Sequence, residues 1–223
     1  MRRPLIVAAV GHNAHGKAHP LASIRTANVV AGEAGGITQH LSAYEAVHQN
    51  STGAHTITFL DTPGHAAFRA MRSRGLGVAD VAIMVVSAEE GVKTQTVEAF
   101  TLIQDAGLAY VVAFTKIDKP AANIEKAKMS LLEHGIFLEG LGGDVPFVAV
   151  SGKTGEGIPE LLDPILLAAE IKGLATNSDA AGTGVVIEEN TDNKRSNTAL
   201  LWVLDTTGSE GQLLEQCNVT AQV

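Results

Sequence analysis

Short apolar runs that alternate with longer segments of helical pattern constrain this chain more than any other feature. The runs are Leu5 to Val10, Thr56 to Leu60, Val81 to Val86, Tyr110 to Phe114 and Phe147 to Val150. Most are apolar at nearly every residue, as expected of parallel strands covered on both faces. Helical patterns fall over Lys17 to Thr26, Ala66 to Ser73, Thr94 to Asp105, Ile124 to Glu133 and Ile158 to Ile171. The last opens after Gly157 and carries Pro159 in its first turn, where a missing N–H is tolerated. Strands and helices in this order predict an α/β fold, a mostly parallel sheet with helices on both faces. Leu41 to Val47 alternates apolar and polar residues and reads as an edge strand.

The chain has 223 residues, enough for one α/β domain of about 170 residues and part of a second. After Lys172 the composition shifts. Residues 173–184 are rich in Ala, Gly, Ser, Thr and Asn and read as a linker. Val185 to Glu188 and Ala199 to Leu204 then look like two strands of a small β domain. The remaining ~40 residues are too few to close a barrel with its own core, so 185–223 is expected to be a truncated second domain. No apolar run reaches the roughly 18 residues of a membrane span, and no signal peptide is expected, because the first apolar stretch runs straight into Gly11. Cys217 has no cysteine to pair with, which fits cytosol or an organelle matrix. A net charge of −8 argues against a surface-wide nucleic-acid clamp, which needs many cations against phosphates. Arg69, Arg72 and Arg74 form a local basic cluster that reads as a solvated face.

Chemistry collects at the carboxyl ends of the runs, where ligands bind in open α/β sheets. Gly11-His12-Asn13-Ala14-His15-Gly16-Lys17 follows the first run and opens a helix. There, bent backbone presents N–H groups to a phosphate, the helix terminus adds positive potential, and Lys17 reaches the β and γ phosphates. Asp61-Thr62-Pro63-Gly64-His65 ends the next run. Asp61 could hold Mg²⁺ through water, the Gly64 N–H could approach a γ phosphate, and His65 could orient the attacking water. Between these, Gly35-Gly36-Ile37-Thr38 forms a loop whose Thr38 hydroxyl could sense metal and γ phosphate. Thr115-Lys116-Ile117-Asp118 and Ser151-Gly152-Lys153 end two further runs. Asp118 is suited to accept from N1–H and the 2-amino group of guanine together, a donor pair that adenine lacks. Ser151 and Gly152 would offer backbone donors to the guanine carbonyl, and the lysine stems would cover the base. Each segment alone also reads as an ordinary turn. His12, His15 and His19 raise the alternative of a histidine metal site, which conflicts with the use of that backbone for phosphate.

Together these segments resemble the P-loop GTPase fold of the translational GTPases, and most nearly the G domain of bacterial-type translation initiation factor 2. The resemblance spans roughly 1–172. It is carried by Gly11 to Lys17, by Ala31 to Tyr44 with its Gly32-Glu33-Ala34-Gly35-Gly36-Ile37-Thr38-Gln39-His40, by Ile57 to Gly75, by Val85 to Ala99 and by Thr115 to Pro120. The tail from Gly182 loosely resembles the start of that family's β-barrel second domain. The resemblance implies GTP and GDP as ligands, Mg²⁺, and GTP hydrolysis on the ribosome, with His65 as the catalytic histidine and Thr38 as the switch threonine. It implies no DNA or membrane partner, and engagement of initiator tRNA only through a domain beyond Val223. Three departures fall on chemistry. Ala18 stands where the family has a Mg²⁺-binding Ser or Thr, Ala14 where it has an aspartate, and Thr115 where it has an asparagine. Ala18 and Ala14 keep open an alternative, a hydrolysis-impaired pseudo-GTPase or a fragment that binds guanine nucleotide without useful turnover.

Overall fold

The computed structural model describes residues 5–12, 15–28, 42–50, 53–62, 68–173, 184–191, 198–205 and 213–220. In the first unit, Leu5–Gly173, a six-stranded sheet runs in the order β2-β3-β1-β4-β5-β6. Its strands are β1 (Leu5–Gly11), β2 (Ser42–Asn50), β3 (Gly53–Asp61), β4 (Val81–Ser87), β5 (Ala109–Thr115) and β6 (Phe147–Ala149). All pair in parallel except β2, which joins β3 as an antiparallel edge. Every residue of β1 and β4 is buried. Because side chains alternate across a strand, both faces of the sheet centre must be covered. The helices are α1 (Ala18–Asn28), α2 (Arg69–Val78), α3 (Thr94–Asp105), α4 (Ile124–Glu133) and α5 (Ile158–Lys172). Helix α1 packs with α5, and α2 with α3, one pair to a face. Each fully buried Val, Leu or Ile contributes ~1.5–3 kcal/mol through loss of water contact.

The sequence reading located these elements closely, and the differences have physical causes. Helix α2 runs on to Val78 through Gly75 and Gly77, although each glycine costs about 1 kcal/mol in helix propensity. Buried Arg72 and Leu76, one turn apart, hold that extension against the protein. Arg72 therefore corrects the reading of a solvated arginine face. It is 1% exposed, and its Nη2 donates to Glu98 Oε1 at 2.8 Å. Arg69 stays 63% exposed, 3.9 Å from the same carboxylate. Strand β2 reaches Asn50 because the whole hairpin with β3 keeps register from Ser42↔Asp61 to Asn50↔Gly53.

Strand ends are fixed by side chains as well as by ladders. Asp80, just before β4, accepts from Ile6 N at 3.0 Å and donates its own N–H to Ile6 O at 2.8 Å. Helix α4 is capped by Asn123, whose side chain accepts from Lys126 N. Helix α5 starts at Gly157 with φ 74°, and a Cβ there would collide with the Ala149 carbonyl. A glycine is therefore required both by handedness and by the close approach.

The second unit gathers Met1–Pro4 with Leu174–Val223. Its described strands are β7 (Gly184–Thr191), β8 (Thr198–Asp205) and β9 (Leu213–Thr220), an antiparallel sheet in that order. Two of them match the strands read from the sequence. Strand β9 escaped notice because Glu215, Gln216 and Asn218 interrupt its apolar pattern, and pairing with β8 is what makes it a strand. Of the residues read as a linker, 173–184, Gly173 caps α5 and Gly184 opens β7, and those from 174 to 183 lie outside the described set.

Candidate nucleotide site

Four sequence-predicted segments converge at the carboxyl edge of the sheet. Gly11 closes β1, Asp61 closes β3, Thr115 closes β5, and Ser151 follows β6. Parallel strands put all of these ends on one edge of the sheet, so segments up to 140 positions apart in the chain become neighbours. Asn13, Ala14, Thr38, Gly64 and His65 lie outside the described residues.

The phosphate loop is held from several sides. Gly11 is buried, and a Cβ on it would sit 2.5 Å from Val85 O. His15 N donates to His12 O at 3.1 Å, and His19 N to Gly16 O at 3.2 Å, which tightens the turn ahead of α1. The His15 ring is fully buried and bonds Val85 O through Nδ1 at 3.3 Å. That carbonyl needs a donor, so the proton sits on Nδ1 and the ring is neutral. Burial holds its pKa down to about 4, while Nε2 finds no partner among the described residues. His12 stacks at a tilt, ring centroids 4.8 Å apart, and burial lowers its pKa too. His19 is exposed. Among the described residues no group of three His, Cys, Asp or Glu could hold a metal.

Lys17 is 5% exposed, and its Nζ donates to Gly11 O at 2.9 Å and His12 O at 3.5 Å. Burial depresses its pKa to about 8, against the attraction of Asp61. A desolvated ammonium surrounded by loop carbonyls is poised for an anion, because a phosphate at this point would restore the lost solvation. Asp61 is 6% exposed. Next to it Thr62, also buried, donates to Ala9 O at 2.7 Å and ties the end of β3 to β1. Mg²⁺ finds a partial fit here: Asp61 brings a carboxylate, but Ala18, first residue of α1, brings no oxygen for an ion that takes about six.

Across the edge, the second half of the site is bolted to the first. Thr115 is 1% exposed, and its Oγ1 donates to His15 O at 2.5 Å, with Val86 O at 3.4 Å. Here the hydroxyl that replaces the expected asparagine joins the segment from β5 to the phosphate loop. Lys116 has φ 61°, alone among the described non-glycine residues in taking a positive value. Its Cε lies 3.9 Å from where a Cβ of Gly16 would be, so the stem crosses the phosphate loop. Asp118 accepts from Ser151 Oγ at 2.8 Å, and this bond is the main reason its pKa falls. Ser151 Oγ also accepts from the Lys153 and Thr154 N–H groups, each at 3.2 Å. Gly152 packs so closely on α1 that a Cβ would lie 2.5 Å from the His19 carbonyl carbon. Ser23 donates to Gly152 O at 2.8 Å. Ser23, Thr62 and the pair Glu89 and Glu90 were missed from the sequence. Thr62 stood beside a suspected residue, whereas nothing local marks Ser23, whose role arises across 129 positions.

A parallel sheet whose strand ends gather a glycine loop, a buried lysine, a buried carboxylate and a carboxylate–serine rim defines a phosphate-loop nucleotide-binding protein. Comparison with known proteins narrows the class. The chain belongs to the family of the elongation factor Tu GTP-binding domain, whose profile matches residues 5–170. It is similar to translation initiation factor IF-2 of Syntrophomonas wolfei subsp. wolfei, 47% identical over 225 residues, covering 99% of this chain and 25% of the relative. IF-2 of Bartonella tribocorum is 49% identical over 201 residues, covering 90% of this chain and 23% of the relative. This chain thus spans about a quarter of the length of these curated relatives. Among solved structures, GDP-bound aIF5B from Aeropyrum pernix matches with a TM-score of 0.67 at 29% identity, over 92% of this chain and 42% of that one. The family brings guanine-nucleotide binding with it, and among the described residues no helix is long and apolar enough to cross a membrane.

Proposed function

We propose that this chain binds GTP and GDP and hydrolyses GTP as the G domain of a translation initiation factor 2-like protein that works at the ribosome, in bacterial cytoplasm or an organelle matrix. The observation that carries the reading is the bond from Thr115 Oγ1 to His15 O. It joins the segment proposed to read the base to the segment proposed to hold the phosphates. The loop from Gly11 through Ala18 would wrap the phosphates, with Lys17 opposite the β and γ groups and Asp61 and Gly64 beyond. Thr115, Lys116, Asp118, Ser151, Gly152 and Lys153 would form the guanine slot. In hydrolysis water attacks the γ phosphorus, the bond to the β-γ bridging oxygen breaks, and GDP and phosphate leave. Negative charge builds on the transferred oxygens and on the bridging oxygen, where a preorganised lysine is most effective.

His65 would orient the water, and Thr38 with Asp61, through water, would hold Mg²⁺, which when bound neutralises phosphate charge. Residues 185–223 would be the start of a β-barrel second domain, joined through 173–184. Initiator tRNA would be met only by parts of the relatives beyond this chain, and neither DNA nor a membrane is a proposed partner. Ala18 favours a second reading, in which guanine nucleotide binds and turnover is feeble.

Calorimetry with GTP, GDP and ATP, with and without Mg²⁺, followed by phosphate release in the same samples, tests both readings. Binding of GTP and GDP without ATP, together with Mg²⁺-dependent release, is the expected result, and a preference for ATP would sink the proposal. A large gain in turnover on Ala18→Thr would favour the impaired reading.

A further inference from the structure

At the end of β4, Ser87-Ala88-Glu89-Glu90-Gly91 makes a turn that the nucleotide reading does not use. The turn is rigid. Gly91 N donates to Ser87 O at 2.8 Å, and the N–H groups of Glu89 and Glu90 point to Ser87 Oγ at 3.3 and 3.4 Å. It is also fixed to the neighbouring strand: Ala88 N donates to Thr115 O at 2.9 Å, and Ala88 O accepts from Asn123 N at 2.8 Å. Two carboxylates are therefore presented from a fixed frame beside the segment that follows β5.

Both carboxylates meet Lys116, whose Nζ lies 3.0 Å from Glu90 Oε1 and 3.8 Å from Glu89 Oε2. Lys93 is a weaker neighbour, 3.9 Å from Glu90 Oε2. Lys116 leaves β5 in a left-handed backbone conformation, unfavourable for a residue with a Cβ and sustained only where surrounding contacts over-determine it. Its stem then crosses Gly16 and its head ends on Glu90. A flexible lysine is thus pinned at its backbone, along its stem and at its charge. Without the far anchor, its rotamer freedom would have to be lost each time a base binds.

We propose that Glu90, assisted by Glu89, is a positioning residue for guanine nucleotide, holding the Lys116 stem in place as one preformed wall of the base slot. This rests on the guanine reading given above and adds to it a residue pair that touches no nucleotide. The hydrogen bond to Lys116 also holds the Glu90 carboxyl below its ordinary range, so the anchor is ionised at neutral pH. Preorganisation of this kind acts mainly on release, since the wall must open for the base to leave.

The test is the dissociation rate of N-methylanthraniloyl-GDP from the full 223-residue chain, chased with excess GDP. Glu89→Gln with Glu90→Gln is expected to speed release about fivefold, the scale of one part-exposed charged contact, with the melting temperature of the empty protein lowered by no more than about 4 °C. A merely structural role is separated by a double-mutant cycle. In a Lys116→Met background the two glutamines should add nothing, since the group they hold is gone. Unchanged release in the glutamine variant, or acceleration that persists without Lys116, overturns the inference. Failure of the wild-type chain to bind the GDP probe at all overturns the guanine reading, and this inference with it.

Discussion

Thr115→Val asks whether the two halves of the site are held together by one hydroxyl. Valine matches threonine in shape, and position 115 is 1% exposed, so the substitution leaves no cavity and removes a single donor. The His15 carbonyl, reached at 2.5 Å, is then left without that donor in a buried place. Leaving one buried acceptor unsatisfied costs ~1–3 kcal/mol. With a urea dependence of about 2 kcal/mol per molar, the midpoint of the first unit should fall by about 1 M. Helical circular dichroism is the proper probe, because α1 to α5 all lie within Leu5–Gly173, whereas Trp202 sits on β8 of the second unit. Affinity for GDP should fall by roughly three- to tenfold, the equivalent of about 1 kcal/mol spent reordering the phosphate loop. Thr115→Ser, which keeps the hydroxyl, should restore most of both. A valine variant with a wild-type midpoint and wild-type affinity would refute the idea that this bond couples the segments.

Three further outcomes follow from Lys17, His15 and Gly152 at the same edge. Lys17, held at about 8 by burial, gains a phosphate partner on binding, which raises its pKa, so GDP affinity should be flat below pH 8 and fall above it. By about pH 9.5 the loss should be roughly 30-fold, measured without metal by calorimetry, and a flat profile would remove Lys17 from the phosphate site. His15 has a folded pKa of about 4 against 6.5 unfolded. The unfolded chain therefore binds the extra proton first, and stability present above pH 6.5 is lost as the pH falls toward 4, by up to about 3 kcal/mol. His15→Gln should flatten urea midpoints across that window, and an unaltered slope would count against a buried neutral ring. Gly152→Ala puts a Cβ 2.5 Å from the His19 carbonyl carbon and 2.6 Å from Pro20 N. Since backbone is slow to yield, a cost of ~1–3 kcal/mol and a lowered melting temperature are expected, whereas an unchanged melt would contradict the close packing of the loop on α1.

The sequence by itself determined the alternation of strand and helix, the positions of β1, β4, α3 and α4 nearly to the residue, and the residue types in each half of the site. These are local properties: an apolar run long enough for a strand, a helical period, a glycine loop before a lysine, a carboxylate after a strand. It also showed that Thr115 had taken the place of an asparagine, but not what the hydroxyl would bond. Tertiary structure alone decided which carbonyl that was, because His15 lies 100 positions away and meets it only when β1, β4 and β5 align in parallel. The same holds for Arg72, which looked like a surface cation until α2 packed on α3 and brought Glu98 to it. It holds too for Glu90, an unremarked turn residue until the bonds from Ala88 to Thr115 and Asn123 set it beside Lys116. Periodicity and motif report what a segment can do, whereas burial and long-range partners arise from pairing distant segments, and in this protein the pairing of strand ends turned separate loops into one site.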